Sequence, residues 1–178
     1  MGKKIRVITG QVPLEDDFRG LSALRSILGR LLHSAARSLP MHPDWRAGIH
    51  RWRGATIGKG VFIGSEVFID NAHPQGIVIE DNVVISFGCY LISHFIGPFH
   101  LRHILDNYGM VSKGIVLKEG CYLGPCCIVT DGVTIGKCSV VGVGSVVTRD
   151  IPDYSVALGY PARVIRKFTR DEVGEFLK

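Results

Sequence analysis

Four of the seven histidines, the side chains that ionise nearest neutral pH, fall at two irregular places. His73 stands in the stretch Asp70-Asn-Ala-His-Pro74, and His94, His100 and His103 fall between Ser93 and Gly114. An unperturbed imidazole ionises near 6.5, so histidine is the residue suited to act as a general base at pH 7. The cysteines point elsewhere. Cys89, Cys121, Cys126, Cys127 and Cys138 are odd in number and show no C-x-x-C spacing, which argues against a zinc cluster or a disulfide framework. No Ser or Cys stands beside a base by any sign in the sequence, so a covalent intermediate is not expected.

The elements that must position these groups follow from a repeat. An aliphatic residue recurs every sixth position: Ile57, Ile63, Ile69, then Ile79, Ile85, Leu91, then Leu117, Leu123, Val129, Ile135, Val141 and Val147. The next position is turn-like, with Gly58, Gly64, Asp70, Gly124, Gly136 and Gly142. The fourth is often Gly, and the fifth is small or β-branched, including Cys89, Cys121 and Cys127. A period of six is neither helical nor a simple alternating strand. It predicts a short strand and a corner, with three hexads closing a triangular coil and twelve hexads giving about four coils. Gly, Asp or Asn at the corners would tolerate a left-handed backbone there. Cys89, Cys121 and Cys127 then act as compact apolar fillers, and Cys126 and Cys138 fall at corners. The register breaks twice, after Ile69 and after Leu91. Insertions in repeat proteins collect on one face, often the binding face.

Composition narrows the class. The chain has 178 residues, 46% hydrophobic and 21% charged, enough for one domain and too apolar for disorder. No apolar run approaches the roughly 18 residues of a membrane span. Lys3 and Lys4 resemble the start of a signal peptide, but Glu15, Asp16, Asp17, Arg25 and Arg30 interrupt any apolar stretch after them. A cytoplasmic protein is expected. Residues 1–56 carry 10 basic and 4 acidic side chains (+6), whereas residues 57–178 carry 11 and 12 (−1). With a neutral body, nucleic-acid binding is disfavoured.

The chain divides into an N-terminal segment (1–56), the repeat region (57–151) with an excursion at 93–114, and a C-terminal tail (152–178). Residues 18–39 predict an amphipathic helix, with Phe18, Leu21, Leu24, Ile27, Leu28, Leu31, Leu32, Ala35, Ala36 and Leu39 at helical spacing and Arg19, Arg30 and Arg37 opposite. Its apolar face either packs on the end of the repeat or within an oligomer, the commoner fate, or lies on an anionic membrane. Pro40 ends it. Thr169-Arg-Asp-Glu172 has capping-box spacing and predicts a short terminal helix.

From Trp52 to Lys167 the sequence resembles the hexapeptide-repeat acyltransferases. The most specific stretch runs from Ile135 through Ile-Pro-Asp-Tyr-Ser155, followed by Gly159-Tyr-Pro-Ala-Arg-Val-Ile-Arg166, and it is similar to the galactoside, maltose and surface-polysaccharide O-acetyltransferase branch. The resemblance implies a mainly β fold, a left-handed parallel β-helix, assembled as a homotrimer. It implies acetyl-CoA as acyl donor in a groove between subunits, against Gly124, Pro125, Gly142, Val143, Thr148 and Arg149, with Arg163 and Arg166 reaching the phosphates. Glycine permits close backbone approach, and arginine pairs bidentately with phosphate. Pro125 and Val143 replace the more usual Ser and Ala.

The same resemblance implies that His94, at the start of the excursion, deprotonates the acceptor hydroxyl. Here Phe95 follows it where relatives commonly carry a polar residue. Asn71 or Asp70 would orient the acceptor or the base. His73 is the rival base, by analogy with the serine-acetyltransferase branch, and His100 and His103 are expected on the surface. The expected function is O-acetyl transfer to a sugar hydroxyl in surface-polysaccharide assembly, without a metal, at the inner face of the membrane if residues 18–39 meet lipid. N-acetyl transfer to an amino-sugar or amino acid is the nearest alternative. A zinc enzyme like the carbonic anhydrases of this fold, or a non-catalytic scaffold, is a weaker one.

Overall fold

The computed structural model describes residues 21–94, 113–169, 172 and 174. Most of the excursion, with His100 and His103, lies outside the described residues, as do Phe18 and most of the expected C-terminal helix. Twelve short strands form three sheets. The first orders β1 (Thr56–Ile57), β4 (Ile77–Ile79), β7 (Ile115–Leu117) and β10 (Thr134–Ile135). The second contains β2 (Phe62–Ile63), β5 (Val84–Ile85), β8 (Tyr122–Leu123) and β11 (Val140–Val141), and the third β3 (Phe68–Ile69), β6 (Tyr90–Ile92), β9 (Ile128–Thr130) and β12 (Val146–Val147). The chain visits the sheets in rotation and pairs in parallel, with Ile57 opposite Ile79, Ile63 opposite Ile85 and Ile69 opposite Leu91.

All twelve aliphatic repeat residues are buried in one core. Each such burial contributes about 1.5–3 kcal/mol, which is why the hexad register governs the fold. Cys89, Cys121 and Cys127 sit inside beside them, all five cysteines are free, and the Cys89 and Cys127 thiols donate to the carbonyls of Gly124 and Gly142 at 3.1 Å.

The corners carry the expected left-handed backbone, at one position of the hexad. Left-handed backbone falls on the fourth position, at Gly60, Glu66, Asn82, Gly88, Gly120, Cys126, Gly132, Cys138 and Gly144. The glycines directly after the aliphatic residue have ordinary φ and are small for a different reason. A Cβ at Gly64 would lie 2.7 Å from Phe87 N, and one at Gly124 would lie 2.8 Å from Val141 O. These glycines are set by the approach of the next turn of the stack, which leaves no room for a side chain.

Residues 152–167, expected as a tail, instead extend the second sheet. Strand β13 (Ser155–Gly159) runs parallel to β11, and β14 (Ala162–Lys167) returns antiparallel to β13. Beyond it, Thr169 and Glu172 form the expected capping box: Thr169 N donates to Glu172 Oε2 at 2.7 Å and Glu172 N donates to Thr169 Oγ1 at 3.3 Å.

Two helices precede the strands. Helix α1 spans Leu21–Ser38, and α2 spans Pro43–Trp52. Pro43 opens α2 at a position where its missing N–H matters little. In the single chain, His33 and Ala36 of α1 are buried, whereas Ile27, Leu28, Leu31 and Leu39 are exposed.

The segment from α2 to β1 closes the stack with arginines. Within the stack, the amide after each aliphatic residue donates to the aliphatic carbonyl of the next turn, as in Gly58 N to Ile79 O, Gly64 N to Ile85 O and Asp70 N to Leu91 O, at 2.8, 2.8 and 3.1 Å. In the first turn, Ile57, Ile63 and Ile69 have no preceding turn to supply that donor. Arg51 Nε donates to Ile57 O at 2.9 Å, Arg46 Nη1 to Ile63 O at 3.5 Å, and both Nη1 and Nη2 of Arg53 to Ile69 O at 3.3 Å. One arginine thus serves each sheet, satisfying acceptors that would otherwise be covered without a partner.

Candidate active site

Asp70 follows β3 and His94 follows β6, and pairing of Ile69 with Leu91 brings them together. The Asp70 side chain is fully buried, and that of His94 is 19% exposed. Asp70 Oδ1 accepts from the amides of Ala72 at 2.8 Å and His73 at 3.3 Å, which folds the corner into an Asx turn. Its Oδ2 accepts from the amide of Ser93 at 2.8 Å and from Nδ1 of His94. Burial pushes the Asp70 carboxyl up, but the bond from His94 and those from Ala72 and His73 outweigh it and hold the group below its ordinary value. Asp70 is therefore ionised at neutral pH and can only accept. The Nδ1 proton of His94 is fixed by that partner, and the lone pair of the neutral ring resides on Nε2.

His73 belongs to the same corner. Its ring Nδ1 lies 3.4 Å from Ser93 O, and its own carbonyl accepts from Ser93 Oγ at 2.7 Å. The ring packs over Gly76, where a Cβ would stand 2.4 Å from His73 Nδ1. Asn71 is near but engaged differently: its Oδ1 accepts from Arg53 Nη2 at 2.6 Å. The far end of the excursion is held by a second aspartate, for Asp131 accepts from Gly114 N at 2.8 Å and from Lys113 N at 2.9 Å.

Behind the corner lies a polar cluster that the sequence reading did not identify. His33 is 3% exposed and His50 1%. His33 packs edge-on against Phe68 and His50, with ring centroids 5.1 and 5.9 Å apart, and neither of its nitrogens has a hydrogen-bond partner among the described residues. Burial first, and the charge of Arg53 second, push His33 down to about 4 and His50 down to about 3, so both rings are neutral at pH 7.

Of the expected acyl-donor residues, Thr148 and Arg149 follow β12, in the same sheet as β3 and β6, and the others lie on or follow strands of the second sheet. Gly124 and Gly142 follow the stacked strands β8 and β11, Pro125 O accepts from Gly144 N at 2.8 Å, and Val143, Thr148 and Arg149 are exposed. Arg163 and Arg166 are exposed on β14, where Arg166 pairs with Glu172 at 3.0 Å and lies over the Phe168 ring.

Three sheets visited in rotation around one core define a parallel β-helix, with an aspartate–histidine pair at a break in the hexads. A family model described as "Hexapeptide repeat of succinyl-transferase" matches residues 54–93. Galactoside O-acetyltransferase of Escherichia coli (strain K12) is 30% identical over 157 residues, covering 77% of this chain and 75% of that protein. A Staphylococcus aureus (strain Mu50 / ATCC 700699) protein named an acetyltransferase is 36% identical over 121 residues, covering 68% of this chain, and the chain spans only 59% of that relative's length. A solved galactoside acetyltransferase in complex with coenzyme A superposes with a TM-score of 0.56 at 23% identity, covering 91% of this chain and 88% of that one. The chain belongs to the hexapeptide-repeat acetyltransferases, the family of the galactoside and maltose enzymes, whose fold is the left-handed β-helix.

Proposed function

We propose that this protein transfers an acetyl group from acetyl-CoA to a sugar hydroxyl, with His94 as general base. The observation that carries the reading is the pair itself: a buried, ionised Asp70 on Nδ1 leaves Nε2 of His94 as the proton acceptor. Nε2 takes the hydroxyl proton as the oxygen attacks the thioester carbonyl carbon. The tetrahedral intermediate then collapses, the carbon–sulfur bond breaks, and the thiolate of coenzyme A recovers the proton from His94. Backbone amides steady the oxyanion. No acyl-enzyme forms.

Acetyl-CoA would lie along the corner that carries Gly124, Pro125, Gly142 and Val143, past Thr148 and Arg149, with the Arg163 and Arg166 guanidiniums toward its phosphates. The twelve strands β1–β12, three to a turn, make about four coils, and three chains assemble so that donor and acceptor meet between subunits. The acceptor is a unit of a surface polysaccharide presented at the inner face of the membrane. The exposed Ile27, Leu28 and Leu31 of α1, beside Arg30 and within a segment of net charge +6, suit an anionic lipid surface. Calorimetric titration with acetyl-CoA, followed by an acceptor screen with mono- and oligosaccharides, tests the reading. Saturable binding and product carrying a new acetyl ester support it, and absence of binding at millimolar acetyl-CoA overturns it.

A further inference from the structure

We infer that Arg53 is a positioning residue for the Asp70–His94 pair, a role the other two arginines closing the stack do not share. The inference rests on the reading of His94 as the base.

Arg46, Arg51 and Arg53 have equivalent duties toward the first turn, one per sheet, yet their remaining bonds differ. Arg46 spends its other donors on the carbonyls of Ala36 and Leu39, and Arg51 on that of Gly58. Arg53 alone reaches the corner that carries the aspartate. Its Nη2 donates to Asp70 O at 2.9 Å and to Asn71 Oδ1 at 2.6 Å, while Nη1 lies 2.8 Å from His50 Nδ1. The Arg53 guanidinium can only donate, and neutral His50 accepts at Nδ1, so the ring anchors the arginine from behind. Burial brings Arg53 down to about 10, against the pull of Asp70, and it keeps its charge at neutral pH.

The geometry gives each element of the corner a fixed partner. The Asp70 carboxylate is held by four N–H groups, two from its own turn and two from the Ser93–His94 segment. The peptide that carries it, and the side chain that follows, are held by Arg53. Without the guanidinium, Asp70 O and Asn71 Oδ1 lose a charged donor together, and the Asx turn alone must set where Oδ2 meets His94. A displacement of about 1 Å at a reacting group reduces rates on the order of 100-fold, so a small relaxation of this corner is enough to be read in kcat.

The experiment compares Arg53→Met, Arg51→Met and Asn71→Ala with the unaltered protein. It measures thermal melting, kcat and KM for acetyl transfer, and the imidazole ¹⁵N spectrum of His94. Arg53→Met and Arg51→Met should both melt lower, since Arg51 covers the carbonyls of Ile57 and Gly58 and Arg53 those of Ile69 and Asp70. Only Arg53→Met should lose kcat, by about 10- to 100-fold, with KM for acetyl-CoA within about twofold. His94 should show a single Nδ1–H tautomer in the unaltered protein and in Arg51→Met, and a mixture in Arg53→Met. Asn71 is exposed and outside the end closure, so Asn71→Ala keeps the fold and should lose kcat in the same direction by a smaller factor. Unchanged kcat and tautomer in Arg53→Met, or an equal loss in Arg51→Met, overturns the inference. If Arg53→Met does not fold, full activity and an unchanged tautomer in Asn71→Ala overturn it alone. The spectrum needs no acceptor, so a protein without transferase activity refutes the functional reading while the tautomer comparison still decides the role of Arg53.

Discussion

Oδ2 of Asp70 accepts from both members of one dipeptide, the backbone amide of Ser93 at 2.8 Å and the ring Nδ1 of His94. A single oxygen therefore sets where the excursion leaves the stack and which nitrogen of the histidine carries the proton. Positioning and tautomer are controlled by the same buried atom, and changes at Asp70 should affect both.

Replacing His94 by Ala should lower kcat by about 10²–10⁴-fold while acetyl-CoA still binds, because the base touches the acceptor proton rather than the donor. Steady-state kinetics and calorimetry on the same preparation separate the two effects. A fully active variant would transfer the role to His73, which shares the corner.

Asp70→Asn should be damaging for a different reason. An amide nitrogen at the site of either oxygen faces N–H donors and leaves a buried pair of donors unmatched, a penalty of about 1–3 kcal/mol in stability. It also frees the His94 tautomer, and kcat should fall by about 10³-fold or more. Melting and kcat should therefore drop together, whereas His94→Ala should affect kcat far more than melting.

Stability should fall as the pH is lowered from 7 toward 4. His33 and His50 have folded-state values of about 4 and about 3, below the 6.5 of an unfolded chain, so between these limits the unfolded chain binds more protons. Their contribution is complete above about 6.5 and is lost as the pH falls toward their folded values. The depressed Asp70 acts in the same sense at lower pH. Melting temperatures recorded from pH 7.5 to 4 should decline below about 6.5, and His33→Leu should make that decline shallower.

Arg163→Ala should weaken acetyl-CoA about 3- to 10-fold, with less effect at high salt, as expected for an exposed cation meeting phosphate. Arg166→Ala should do less, because Arg166 already pairs with Glu172 at 3.0 Å. Calorimetry at two ionic strengths reads both. Equal, salt-independent affinities would remove β14 from the donor site.

Sedimentation with vesicles rich in phosphatidylglycerol should carry the protein down, and vesicles of phosphatidylcholine should not. Leu31→Asp, on an exposed position of α1, should abolish the association without lowering the melting temperature.

What was legible in the sequence follows from what each residue meets. Ile57 through Val147 could be placed because an interior of fixed width selects one aliphatic residue per corner. The role of His94 came from the resemblance, and the residue stands where that register stops. The end closure was not legible. The buried face of α2 is Arg46, Ala47 and His50, with Trp45 and Trp52 exposed, the reverse of an apolar stripe. That face meets a row of carbonyls instead of an oily core, so periodicity of apolar residues carries no trace of it. In helix α1 the fully buried residues among those described are His33 and Ala36, whereas Ile27, Leu28 and Leu31 are exposed. The hairpin β13–β14 was hidden because Val164 and Ile165 are exposed and break the rule that the aliphatic residues point inward.

The three arginines around α2 have a consequence for the size of the object. A parallel stack whose every turn presents the same row of acceptors is a growing polymer in miniature, and another chain could add to it indefinitely. Arg51, Arg46 and Arg53 occupy the acceptors of Ile57, Ile63 and Ile69 from within the same molecule, one to each side of the triangular end. They act as a chain terminator written into the sequence just ahead of the first repeat, and they limit a structure with no intrinsic length to a discrete particle.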